Sequence, residues 1–372
     1  MKWLSIYLLL IPATCLAQIN ITGKVTNADD KSPVTNASIF LSNATVGNKT
    51  DEKGIYTLTG VRPGQYELVV TIVGFETYRQ NVMAANQNIS LPDILLKPKT
   101  TELKEVNIRP DPDWENKYFT FKKEFLGYSP IAQQCKILNP EVLNLNFDKQ
   151  TRVLSASSYD FLEINNIALG YKIKYLLSQF TKDNKDNRIY FEGSALFEEM
   201  QGSKADKKRW QRNREKVYLG SNMHFLRSIL GNNLAGNQFE VMRLIRKPNP
   251  DYHGGLNQYR FSQTLISQPL TIDDFVRLTD SKGVYALSFK DCLYVIYTKK
   301  KGSGQNEVAY KPMDAPDYPT SIITFNDDYA LFDNNGIIIN PASLTFEGNW
   351  GGSRMAEMLP VDYVGVNSYS DK

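Results

Sequence analysis

ITGKVTNADDKSPVTNASIFLSNATVGNKTDEKGIYTLTGVRPGQYELVVTIVGFETYRQNV, residues 21–82, decides the fold class of the N-terminal part. Apolar side chains recur at every second position: Ile21, Gly23 and Val25, then Ala37, Ile39 and Leu41, then Tyr66, Leu68, Val70 and Ile72. Period-two alternation directs one set of side chains inward along a half-buried strand. Turn residues separate the runs at short intervals: Asn27–Lys31 closed by Pro33, Asp51-Glu52-Lys53-Gly54, and Pro63-Gly64. Gly54 and Gly64 stand where a tight turn asks for positive φ. Seven or so short strands at this spacing predict a β-sandwich over residues 19–97.

The chain around it has 372 residues, enough for two domains of ordinary size. Aromatic residues reach 12%, which favours strands, where flat rings pack on a pleated surface. The expected architecture is mainly β: the sandwich, a linker over 98–118 holding one short strand at Leu103–Ile108, and a larger β-rich domain over 119–372 with one helical insertion. In this last part Ile173, Tyr175 and Leu177 alternate, as do Phe191, Gly193, Ala195 and Phe197. A hairpin is expected across Lys290-Asp291, and a meander from Ile322 through Asn335-Gly336 to Ile339. Helical spacing of Trp210, Arg214, Val217, Phe225, Ile229 and Leu230 predicts a helix from about Lys207 to Leu230, broken and capped at Gly220-Ser221.

Residues 1–17 read as a secretion signal: Lys2, an apolar run from Leu4 to Pro12, and small residues ending at Ala17. Cleavage there leaves Gln18 first. Acylation of Cys15 is the rival route, which Pro12-Ala13-Thr14 fit poorly. Export to the periplasm or outer membrane permits a disulfide between Cys135 and Cys292, against the alternative of two separate buried thiols. No later run is apolar and long enough for a membrane helix.

The quoted stretch resembles the carboxypeptidase regulatory-like, transthyretin-type sandwich. The resemblance rests on Gly23 and Val25, Pro33, Ala37–Leu41, Thr50, Asp51 and Gly54, Pro63-Gly64-Gln65-Tyr66, and Gly74-Phe75. In proteins resembling TonB-dependent transporters such a sandwich is followed by a segment like TTELKEVNI, here 100–108; the plug and barrel that follow there do not fit in what remains here. FLGYSPIAQQCKILNPEVL, INNIALGYKIKYLL and REKVYLGSNMHFLRSIL resemble an envelope-protein family with the same leading sandwich and no assigned activity. That resemblance implies a shared architecture.

Chemistry is scarce in the pattern. A zinc carboxypeptidase needs His-x-x-Glu and a distant His; after His224 and His253 the third positions hold Arg227 and Leu256. No Gly-x-Ser-x-Gly elbow or phosphate loop occurs. Asp273-Asp274 and Asp327-Asp328 read as a helix start and a turn, and Asp333–Gly336 lacks the spacing of a calcium loop. Catalytic, metal and cofactor sites are therefore expected to be absent. The formal charge of +3 is too small for a nucleic-acid footprint. One local excess stands out: Lys207, Lys208, Arg209, Arg212 and Arg214 around Trp210, flanked by Lys204 and Lys216, against Asp206 and Glu215. It reads either as a solvated helix face or as a dock for an anionic envelope surface or an envelope protein. The function expected is non-enzymatic binding or assembly in the cell envelope. A hydrolase with a site assembled from distant residues, or an accessory to a TonB-dependent transporter, are the alternatives.

Overall fold

The computed structural model describes residues 19–85, 87–99, 111–252, 260–299 and 317–365. The signal segment, the short strand expected at Leu103–Ile108, and His253 lie outside these residues. The protein is mainly β, as its alternation requires.

The N-terminal sandwich has eight strands: β1 (Ile19–Asn27), β2 (Ser38–Leu41), β3 (Gly47–Lys49), β4 (Ile55–Val61), β5 (Gly64–Thr71), β6 (Tyr78–Ala84), β7 (Ile89–Ser90) and β8 (Ile94–Leu96). One sheet runs β4-β1-β7 with β8 also on β1; the other runs β3-β2-β5-β6. Between them lie Ile21, Val25, Ile39, Leu41, Tyr56, Leu58, Leu68 and Val70, all buried. Gly54 does turn with φ +74°, and an added Cβ would strike the carbonyl of Val25. The turn it closes carries the chain from one sheet to the other, since β3 pairs with β2 and β4 with β1; it is not a hairpin. Gly64 has no positive φ. A Cβ there would sit 2.8 Å from the Asn335 side chain, so the position is small because another part of the chain comes close.

Helix α1 (Trp114–Leu126) begins inside the stretch read as linker. Phe121 and Phe125 anchor it by ring contacts to Phe180, Tyr175 and Phe191. Beneath it lie β9 (Cys135–Ile137), β10 (Leu143–Asp148), β11 (Val153–Ser158), β12 (Leu162–Asn166), β13 (Tyr171–Asp183) and β14 (Arg188–Glu199). They form a sheet in the order β10-β11-β13-β12-β9, with β14 along β13. The helical stretch is two helices, α2 (Lys204–Tyr218) and α3 (Asn222–Leu230); Ser221 caps α3 by accepting from the amide of His224 at 3.1 Å.

The remaining strands are β15 (Phe239–Pro248), β16 (Phe261–Pro269), β17 (Val276–Leu278), β18 (Val284–Leu287), β19 (Cys292–Tyr297), β20 (Thr320–Phe325), β21 (Ala330–Asp333) and β22 (Leu344–Gly348). They make a sheet β16-β15-β19-β20-β22 and a sheet β17-β18-β21. The expected hairpin across Lys290-Asp291 does not form: β18 and β19 belong to different sheets. The expected meander is also split, with β20 in one sheet, β21 in the other, and a single bridge from Phe332 to Ile338 across Asn335-Gly336. Apolar alternation sets which face of a strand is buried, not which strand lies beside it.

Of the two readings open for the cysteines, separate buried thiols are the one found. Cys135 and Cys292 are free buried thiols, one on β9 under α1 and the other on β19 against Leu244, Tyr294 and Ile322. Burial pushes the Cys135 thiol up to about 12.

The sandwich is built into the rest of the chain. Its β2–β3 loop lies along the free edge of β14: Asn43 donates to the Ala195 carbonyl at 2.7 Å, the Phe197 amide to Ala44 at 2.9 Å, and the Val361 amide to Asn43 at 2.7 Å. The outer face of β2 and β5 buries Phe40 and Val69 completely, with the Phe40 ring 5.6 Å from Phe161. Each such side chain contributes about 1.5–3 kcal/mol. Asn335 donates to the Gln65 carbonyl at 2.6 Å, beside Gly64. A protease site inserted at residue 105 should therefore give two fragments that still co-elute on gel filtration in native buffer. Separation without denaturant would show the docking to be weak.

Candidate functional site

The charged cluster expected around Trp210 lies on α2, whose start is fixed by a capping box: Ser203 accepts from the Asp206 amide and Asp206 accepts from the Ser203 amide. From there the helix divides its residues between two faces. On the inner face Trp210 is 6% exposed and donates its Nε1–H to the Ile167 carbonyl at 2.9 Å. Gly170 and Gly202 leave room for the indole; a Cβ at either would collide with it. Asn213 donates to Ala168 at 2.8 Å, and Arg214 Nε to Leu169 at 2.8 Å. Arg214 also pairs with Glu199 at 2.6 Å and lies 3.8 Å over the Tyr171 ring. Three consecutive carbonyls of the β12–β13 turn thus end on three side chains of one helix. Trp210 and Arg214 are structural anchors and are not available to a partner, which corrects the reading of the cluster as one surface.

The outer face keeps the cations. Lys204, Lys208, Arg212 and Lys216 are exposed at steps of four residues and form a column along the helix. Lys207 and Arg209 flank it, Arg209 paired with Asp206 at 2.8 Å. Glu215 stands beside the column and keeps interactions of its own.

A second candidate is a cavity of about 460 Å³ where the sandwich, the β13–β14 hairpin, α3 and the C-terminal segment meet. Its walls carry four carboxylates, Glu67, Glu192, Asp333 and Glu357, and the first three have identified partners. Glu67 pairs with Arg79 at 2.8 Å, Glu192 accepts from the Tyr190 hydroxyl at 2.8 Å, and Asp333 accepts from the amides of Asn335 and Ile337. Burial raises the Asp333 carboxyl above its usual value. These are turn and packing duties, and they bring no acid–base pair together.

The other chemistry-bearing residues are also accounted for locally. His224 is 6% exposed among Tyr218, Phe239 and Tyr297, and its Nδ1 accepts from the Gly220 amide at 3.2 Å. Burial pushes the imidazole down to about 4. Asp273 and Asp274 open the short helix Ile272–Phe275, where Asp274 accepts from the Thr271 amide at 2.7 Å. Asp327 and Asp328 lie in the turn between β20 and β21. Among the described residues no group of three His, Cys, Asp or Glu could hold a metal ion.

Two expectations follow from this packing. Trp210→Ala should cost about 3–5 kcal/mol in denaturant melts, because the cavity between Gly170 and Gly202 cannot collapse. For His224, the folded value lies below that of free imidazole, so the unfolded chain takes the proton first. Stability should then fall as pH drops from about 6.5 towards about 4. His224→Gln should remove roughly 2–3 kcal/mol of that fall, read from melts across the window.

Comparison with known proteins bears on the sandwich. No curated protein matches the chain. Among solved structures it is similar to a chain of a type II cohesin–X-dockerin complex from Acetivibrio cellulolyticus, at 18% identity, over 21% of this chain and 56% of that one, with a TM-score of 0.19. The group B streptococcus pilus 2b backbone protein gives 22% identity, 22% and 41% coverage, and 0.19. The C-terminal domain of shaft pilin SpaA from Lactobacillus rhamnosus GG gives 16%, 22% and 98%, and 0.19. The match thus spans about half the length of the first of these chains, and scores of this size carry no argument about function. The family match is different in kind: the model of the CarboxypepD_reg-like domain covers residues 21–108. This chain therefore carries a CarboxypepD_reg-like domain at its N-terminal end, built on strands β1 to β8.

Proposed function

We propose that the protein is a non-enzymatic binding or assembly protein of the cell envelope, and that the outer column of α2 is its contact face for an anionic envelope surface. The observation that supports this is the placing of Lys204, Lys208, Arg212 and Lys216 at successive four-residue steps, all exposed. Like charges at that spacing destabilise a helix by about 0.2–0.5 kcal/mol per pair. Lys204 and Lys207 also stand in the first turn, at the positive end of the helix dipole, at about 0.3–1 kcal/mol each. A helix whose only task was structural would gain by exchanging some of them for acids. Retaining all of them suits a surface whose task is attraction.

Rigidity supports the same reading. Trp210, Asn213 and Arg214 fix the helix to the turn beneath it, so the column is held in one orientation and binding loses little conformational freedom. Export fits the leader at residues 1–17 and the family of the N-terminal domain. Among the described residues no helix is long and apolar enough to cross a membrane, and attachment through a charged face needs none. Glu67, Glu192 and Asp333 of the central cavity are engaged by neighbours, which weighs against the hydrolase alternative.

Co-sedimentation with vesicles of phosphatidylglycerol, set against vesicles of phosphatidylcholine, tests the proposal. Binding should require the anionic lipid and weaken steeply with salt. The quadruple change Lys204→Glu, Lys208→Glu, Arg212→Glu and Lys216→Glu should abolish it with an unchanged melt. Equal binding by that variant would refute the assignment.

A further inference from the structure

We propose that the outer edge of β16 is a strand-addition site and that its occupant is the same strand of a second copy of this chain. β16 is the terminal strand of the β16-β15-β19-β20-β22 sheet, and among the described residues nothing pairs with its other side. An edge of this kind exposes a row of amide and carbonyl groups to any strand that approaches, and proteins ordinarily blunt it with charge, proline, shortness or cover. Several other edges here follow that rule, although β4 is a further edge without charge or proline, interrupted by Gly60 at φ +74°. The edge of β14 is covered by the sandwich loop, β3 has three residues, and β6, β17 and β22 carry Arg79, Arg277 and Glu347. β16 follows it nowhere along Phe261–Ile266. This run reads Phe-Ser-Gln-Thr-Leu-Ile, without charge or proline, and pairs in regular register with Pro248–Arg243 of β15. The irregularity and Pro269 come only after it.

The sequence of the run selects the occupant. Two copies pairing antiparallel about a two-fold axis at Gln263 place Phe261 opposite the partner's Leu265 and Ser262 opposite the partner's Thr264. Apolar meets apolar, hydroxyl meets hydroxyl, and no charge meets its own copy, which is the usual obstacle to pairing identical edges. Two of the charges on the neighbouring strand, Arg243 and Arg246, are already matched, while Lys247 stays exposed opposite Ser262. Arg243 pairs with Asp291 at 2.6 Å, and Arg246 holds both oxygens of Glu347 at 2.6 and 3.1 Å. The edge is ordered in advance as well. Arg246 donates to the Gln263 side-chain oxygen at 3.1 and 3.0 Å and lies 5.1 Å over the Phe261 ring. Side chains fixed before the encounter lose less freedom on pairing. The product is a continuous sheet of ten strands.

Sedimentation of the full mature chain, with Thr264→Lys and Thr264→Glu, tests this. Thr264 is exposed, and both variants should keep the wild-type melt. The wild type should dimerise, each variant should raise the dimer Kd by about tenfold or more through like-charge repulsion between the two diagonally placed 264 side chains, and an equimolar mixture of the two should associate again. Ser262→Lys and Ser262→Glu, on the same face, repeat the comparison should either first variant melt early. A wild type that stays monomeric at every concentration, a dimer that both variants retain, or a mixture of folded variants that stays monomeric would each overturn the proposal.

Discussion

The edge of β14 cannot be left bare inside the molecule, and the structure depends on how it is satisfied. Buried amides and carbonyls without partners cost more than most contacts return. The β2–β3 loop supplies the partners. Asn43, at φ +59°, turns both its backbone and its side chain to the problem: its amide donates to Ala195, its carbonyl accepts from Val361, and its Oδ1 accepts from the Ala195 amide. Left-handed backbone is cheapest for Gly, and among other residues for Asn and Asp. Asn alone of these adds an uncharged acceptor to the geometry. One residue of the sandwich thus ties its own loop, the six-stranded sheet and the C-terminal segment together, and the central cavity is the space left where these layers meet.

Several arginines are committed to carbonyls where layers of the fold meet. Arginines occupy the joints: Arg227 donates to the carbonyls of Asn335, Tyr363 and Val361 at 2.8, 2.7 and 2.7 Å, Arg214 to those of Leu169 and Gly170, and Arg62 to that of Asp362 at 2.8 Å. A planar guanidinium can serve several carbonyls at fixed angles and keeps its charge when partly buried. The lysines of α2 face water.

Local features were legible in the sequence, and pairings were not. The sandwich, the β13–β14 alternation, the cap at Ser221 and the helix start at Asp274 all follow from residues within a few positions of one another. The assignments that failed needed information from far along the chain. Val284–Leu287 and Cys292–Tyr297 look like a hairpin because a turn separates two apolar runs, yet each finds a better neighbour elsewhere. For Cys135 and Cys292 the sequence left a bridge and separate thiols both open, because the separation of β9 from β19 is not written locally. α1 had a usable signal in Phe121 and Phe125, four residues apart, but Pro110 and Pro112 drew attention to the loop before it. At Trp210 the surrounding cations concealed the stripe 210, 213, 214 and 217, which on a helix is a single inward face.

The glycines at the seam set a condition on descent. Gly47 leaves 2.8 Å between an added Cβ and Leu196, and Gly64 the same to Asn335. Both belong to the sandwich, yet what constrains them is a neighbour in another part of the chain. A homologous sandwich from elsewhere, equally stable alone, would carry whatever residues its own surroundings had allowed at those two places. Transplanted here, it would fold, and larger side chains at those places would have to push Leu196 and Asn335 aside before it could seat. Recombination between such proteins would therefore be easiest where the incoming domain already bore small residues on the face it turns to its host.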